Sequence, residues 1–159
     1  MANFKQAFGG DSAFTLTLAS LANAAAREST AIDNSSNLYV DALLRLQIKL
    51  ATGTPASDKL INIYAYGSED GSNYGDNATG TDAAVTLRSP TNLRLVYTLY
   101  TPDAGALTYK TQPFGIAWAF GGILPVKWGI VVENRTNLAF DSTEGNHAKA
   151  FNGAYYTVS

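Results

Sequence analysis

The chain has 159 residues, 11 of them basic and 13 acidic, with one histidine and no cysteine. That length fits one domain able to bury roughly 70% of its unfolded surface, and the lack of cysteine excludes disulfides and thiolate metal sites. Charged residues make up 15% of the chain, against roughly 25% in an average soluble domain, and no Lys/Arg cluster offers the concentrated cations that a nucleic-acid backbone needs.

Residues 1–12 read as a polar, glycine-containing arm in which Phe4 and Phe8 are spaced aromatics. Such an arm either closes over its own domain or docks on a neighbour, and both residues are candidate partner contacts. Residues 13–159 then read as a single β domain. Alternation of Phe14, Leu16 and Leu18 with Thr15 and Thr17 predicts a strand over 14–19. The apolar run 13–26 lacks the basic lead-in of a signal peptide and is preceded by Gly9, Gly10 and Asp11. A turn or two of helix could fit within 18–27. A short strand over 28–33 precedes the turn-forming run 33–37.

The strongest periodicity lies at 38–50. Leu38, Val40, Ala42, Leu44, Leu46, Ile48 and Leu50 share one parity, and Tyr39, Asp41, Leu43, Arg45, Gln47 and Lys49 the other. That alternation predicts a long antiparallel strand with one face on the core. Further strands are expected over 59–67, 83–87, 92–100, 107–110, 114–120, 126–133 and 154–158. Between the first and second of these, residues 68–82 form a loop rich in Gly, Asn and Ser, carrying Glu69, Asp70, Asp76 and Asp82. Its oxygen ligands could suit calcium, but their phasing does not match an EF-hand. The plainer reading is a solvated loop, in which Glu69, Asp70, Asn73 and Tyr74 are candidate partner contacts.

The apolar run 113–132 is long enough to span a bilayer by count. Gly121, Gly122, Pro125 and Lys127 break it into two strands around a turn, so no membrane span is expected. Trp118 and Trp128 lie either side of that turn among Ile, Val and Phe, and both are expected in the core. The whole pattern predicts an all-β fold: an antiparallel β-sandwich, jelly-roll-like, of about eight to ten strands. An immunoglobulin-like sandwich is second, and it lacks the Cys–Trp–Cys signature.

Chemistry is sparse. His147 is the one histidine, and it reads as a surface or corner residue bonding a backbone carbonyl; no Gly-x-Ser-x-Gly elbow accompanies it. Asp41 and Glu133 are candidates for a carboxylate pair, but each stands where a strand would place an acid by default. The expectation is a protein that is not an enzyme and carries no cofactor and no metal. Three glycosylation sequons, at Asn34, Asn77 and Asn134, are of the number expected by chance in a chain rich in Asn, Ser and Thr.

Three stretches resemble small virion proteins of tailed phages: 31–41 (AIDNSSNLYVD), 63–74 (IYAYGSEDGSNY) and 120–136 (FGGILPVKWGIVVENRT). The likeness is to jelly-roll head-decoration (cement) proteins. It implies a structural protein of the virion, assembled in the host cytoplasm, that binds the major capsid protein or another virion protein and stiffens the lattice. It also implies a homo-oligomer, with a trimer favoured; the scattered basic residues and the broken 113–132 run leave no nucleic-acid or membrane partner expected. The alternative is a tail or fibre module that binds host-surface carbohydrate, suggested by nine Tyr and two Trp on a sandwich scaffold.

Overall fold

A computed structural model describes residues 3–105 and 107–158. Twelve strands appear in chain order: β1 (Phe4–Phe8), β2 (Ser12–Ala13), β3 (Ala26–Glu28), β4 (Ile32–Asp33), β5 (Asp41–Lys49), β6 (Leu60–Ser68), β7 (Ala83–Val85), β8 (Arg94–Tyr100), β9 (Thr108–Lys110), β10 (Phe114–Gly115), β11 (Lys127–Arg135) and β12 (Ala148–Val158). Two 3₁₀ turns, Ala117–Phe120 and Glu144–Asn146, are the helical elements.

The strands form two antiparallel sheets. In the first, β12 lies between β5 and the pair β1/β2, and β9/β10 line the other side of β5. In the second the order is β7-β3-β11-β6-β8, with β4 also on β11. Counting β1/β2, β3/β4 and β9/β10 as one position each, and leaving β7 as an extra edge, gives eight positions. In chain order the sheets then read 1-8-3-6 and 2-7-4-5. That is the strand order of a jelly roll built from two Greek keys. The count exceeds the expected eight to ten because turns interrupt three of the positions.

The core follows from period two. On β5, Ala42, Leu44, Leu46 and Ile48 are buried, while Arg45 is exposed between them. They meet Ile61 and Ile63 of β6 and Trp128, Ile130 and Val132 of β11, with Trp128 edge-on to Phe151 at 5.1 Å. A second, smaller cluster lies on the outer face of the second sheet. There Tyr66, Val131 and Ala26 are covered by Val85, Leu93 and Tyr74 of the segment between β6 and β8. Tyr66 can lie flat because Gly129 sits beside it, where any Cβ would overlap its ring.

Several expectations change. Residues 14–19 are not a strand, although Leu16 and Leu18 are buried as the alternation requires. Their backbone is satisfied by side chains instead: Asp82 accepts from the Thr17 N–H, and Glu144 accepts from the Leu18 and Ala19 N–H groups. The 28–33 strand splits into β3 and β4. The last strand starts six residues earlier than expected, at Ala148, and the arm supplies β1 and β2. Strand 114–120 is cut to two residues. Asp41 Oδ1 draws in the N–H groups of Ile116 and Ala117, and the chain turns into 3₁₀ geometry ending at Gly121 with φ +86°.

Candidate functional site

That turn reverses the expectation for one tryptophan. Trp128 is fully buried, whereas Trp118 is 59% exposed at the head of the β10–β11 loop. The strand register shows what surrounds it. Phe4 pairs with Val158, Gln6 with Tyr156 and Phe8 with Ala154, and Ala154 pairs with Asp41 of β5. Paired residues share a face, so Phe4, Phe8, Tyr156 and Val158 lie together on the outside of the first sheet. Beyond Asp41, β12 has no β5 partner and runs on with β1 alone.

The exposures on this face are high: Phe4 76%, Phe8 54%, Trp118 59%, Ile123 69%, Tyr156 66% and Val158 59%. At ~150–250 Å² for a fully exposed side chain of this size, the six together leave roughly 800 Å² open. Typical soluble monomers rarely show a contiguous apolar patch above ~300–600 Å². The face is also concave. Gln6, Val40, Asp41, Ala117, Trp118, Gly122, Ile123 and Tyr156 border a hollow of about 500 Å³.

The expected contacts divide accordingly. Phe4 and Phe8 belong to this face. Glu69, Asp70, Asn73 and Tyr74 lie apart from it, on the β6–β8 segment. Asp70 there accepts from Ser68 Oγ, Ser72 N–H, Asn73 N–H and Asn73 Nδ2, at 2.8, 2.8, 2.8 and 2.5 Å. The Asn73 donors and then those of Ser72 and Ser68 hold its carboxyl well below the usual range. Tyr74 packs edge-on against Tyr66 at 5.5 Å and is partly buried. Glu69 and Asn73 remain exposed.

The other acids of the loop are also engaged. Asp76 accepts from Thr91 Oγ1, Asn92 N–H and Asn92 Nδ2. Burial works against the charge of Asp82, but Arg27 and the Thr17 donors outweigh it and hold the carboxyl low. Among the described residues, no three His, Cys, Asp or Glu side chains gather as a metal site would require.

His147 is the corner residue expected, with a ring nitrogen on a backbone carbonyl, but it is buried rather than at the surface. Its Nε2 meets the Asp141 carbonyl at 3.0 Å, and its Nδ1 accepts from the Lys49 N–H at 3.3 Å. Nδ1 therefore ties the β11–β12 corner to β5, while Nε2 closes the corner on itself. Asp41 and Glu133 stand on different sheets and do not face one another. Glu133 accepts instead from Asn62 Nδ2 and Tyr64 Oη, at 2.9 and 3.2 Å, and burial together with that carboxylate pushes the Tyr64 phenol up to about 12. Of the sequons, Asn34 and Asn134 are buried. Their amides are bonded inside the fold, Asn34 to the Tyr39 backbone and Asn134 to the Leu21 and Leu138 carbonyls.

The apolar neighbours of Trp118 concealed its exposure from sequence reasoning. The available signal was Gly121-Gly122, whose positive φ values turn the chain away from a strand. No protein-family model, curated protein or solved structure matches the chain.

Proposed function

We propose that this protein is a structural protein of a virus particle: a decoration protein of a tailed-phage head that docks on the major capsid protein through the Trp118–Tyr156 face. The observation that carries this reading is the collection of six large exposed apolar side chains on β1, β12 and the adjoining β10–β11 loop. Roughly 800 Å² per partner is also the area that a standard specific interface buries. Large aromatic side chains with few charges between them have the composition of an interface centre. The jelly-roll frame and the resemblance of residues 31–41, 63–74 and 120–136 to phage virion proteins point the same way. The sandwich acts as a rigid body, and binding rather than catalysis is its work. Repetition over a lattice turns modest single contacts into tight attachment.

The test is the protein content of purified particles, with and without substitution. The wild-type chain is expected in numbers comparable to the coat subunit, and Trp118→Asp with Tyr156→Asp is expected to leave particles bare of a still-folded protein. Absence of the wild-type chain, or a handful of copies per particle, refutes the reading.

A second reading has one specific observation behind it. An exposed indole, a phenol, a carboxylate and an amide (Trp118, Tyr156, Asp41 and Gln6) border one hollow of about 500 Å³, which is chemistry suited to stacking and hydrogen-bonding a sugar. A tail or fibre module would then bind host-surface carbohydrate there. Glycan-array binding that Trp118→Ala abolishes would favour it, and a blank array removes it.

A further inference from the structure

We infer that the chain pairs with a second copy of itself through β1, antiparallel, about a two-fold axis at Gln6. This concerns the edge of the first sheet rather than its outer face, so it stands independently of what the face docks on.

β1 is an edge strand with β12 on one side and no strand on the other among the described residues. Its polarity is fixed by the Gly9 N–H, which donates to the Gly153 carbonyl at 2.7 Å. In an antiparallel ladder the backbone groups alternate. Those of Gly9, Ala7 and Lys5 therefore point to β12, and those of Phe4, Gln6 and Phe8 point to the open edge. An unpaired edge of this kind is a template for another strand.

The sequence of the edge is self-complementary. Phe4-Lys5-Gln6-Ala7-Phe8 reads as aromatic-x-amide-x-aromatic from either end. Paired about Gln6, the strand sets Phe4 against Phe8 of the second copy twice over, and the two Gln6 amides against each other. Lys5 falls opposite Ala7 rather than opposite another lysine, so like charges do not meet. Three facing residue pairs, each exchanging two backbone bonds, give about six hydrogen bonds. A two-fold contact uses the same patch on both copies and closes on itself.

The other edges are less available. β8 runs beside the β9/β10 position of the other sheet, where Tyr97 packs on Phe114 at 4.7 Å and its hydroxyl accepts from the Gln112 N–H at 3.2 Å. β7, β9 and β10 are only three, three and two residues long. The pairing joins two first sheets into one continuous sheet. It covers part of Phe4 and Phe8, and it places two copies of the Trp118–Tyr156 hollow on a shared surface. With both copies contributing, the apolar area there exceeds the roughly 800 Å² per partner of a standard interface.

The mass of the purified chain in solution tests this by light scattering after gel filtration. The wild type is expected at about 34 kDa, twice 16.9 kDa. Gln6→Pro removes an N–H that points away from β12, so the fold is expected to persist, with unchanged circular dichroism, while the mass falls to that of one chain. Gln6→Lys and Gln6→Glu, each alone, set like charges together and are expected to be monomeric; mixed in equal amounts they are expected to restore the dimer mass. A wild type that stays monomeric at high micromolar concentration, one that runs as three chains, or a Gln6→Lys protein that remains dimeric overturns the inference.

Discussion

The two tryptophans make a controlled comparison, because the same substitution removes the same atoms from opposite environments. Trp128 is fully buried, edge-on to Phe151 at 5.1 Å, within the cluster between the sheets. Trp128→Ala opens a large cavity there, at about 3–5 kcal/mol. For a chain of this length, each kcal/mol moves the midpoint by about 2–4 °C, so Tm is expected to fall by about 6–20 °C. Trp118 is 59% exposed, and Trp118→Ala is expected to cost about 1 kcal/mol or less.

Trp128→Phe refines the comparison. The Trp128 Nε1 group is buried with no hydrogen-bond partner among the described residues. Phe is about 40 Å³ smaller, which at ~24 cal/mol per Å³ costs about 1 kcal/mol. Removing an unsatisfied buried donor returns about 1–3 kcal/mol. The two offset, so Trp128→Phe is expected to stay within about 1–2 kcal/mol of wild type. Differential scanning calorimetry of the three variants at neutral pH reads all of this. Equal losses of Tm for Trp118→Ala and Trp128→Ala would refute the reasoning, since the exposed indole would then belong to the core.

Three further outcomes follow from the contacts. Glu28 is fully buried and accepts from Thr79 N–H, Thr79 Oγ1 and Gly80 N–H. Glu28→Ala is expected to cost about 2–4 kcal/mol and to speed amide exchange across 69–93; unchanged exchange there, read by mass spectrometry, would contradict this. Gly129→Ala drives a Cβ into the buried Tyr66 ring, whose hydroxyl donates to the Ser29 carbonyl at 2.5 Å. A loss of about 1–3 kcal/mol is expected from urea midpoints, and a wild-type midpoint would contradict the packing. Asp141 is held at about 2 by the Asn146 amide, the Thr143 N–H and Lys49, against an ordinary 3.8. A folded-state value below the unfolded one adds stability that is fully present above about pH 4 and fades as pH falls through about 2. Asp141→Asn is therefore expected to lower Tm at neutral pH and to flatten its acid dependence across that window; parallel Tm–pH curves for the two proteins would contradict it.

The parts of the fold legible in the sequence were those governed by local alternation. Residues 38–50 interleave five polar or charged positions (Tyr39, Asp41, Arg45, Gln47 and Lys49) with an apolar parity that is buried from Ala42 to Leu50, and β5 lies within them. Residues 148–153 begin β12 but contain Lys149, Asn152 and Gly153, which weaken a strand pattern; their pairing partner is β5, more than a hundred residues away in sequence. Residues 14–19 show the reverse error. Their alternation reports burial of Leu16 and Leu18 correctly, but the hydrogen bonds go to Asp82 and Glu144, at separations of 65 and about 125 residues that no local window contains.

The same distinction applies to the candidate surface. Phe4 and Phe8 stood out as aromatics in a polar segment. The acids of 68–82 also stood out, and Asp70, Asp76 and Asp82 instead accept hydrogen bonds that hold the loop and its surroundings together. Trp118 was masked by apolar neighbours that a 3₁₀ turn points in other directions. Its exposure depends on Asp41, a residue on another strand position that captures two backbone N–H groups.

Electron cryomicroscopy of purified particles carrying the protein tests the docking claim most directly. The expected density has Trp118, Ile123 and Tyr156 meeting the shell, while Glu69, Asp70 and Asn73 face away from that contact. A shell contact made by the 69–82 segment, with the Trp118–Tyr156 hollow open to solvent, would contradict it.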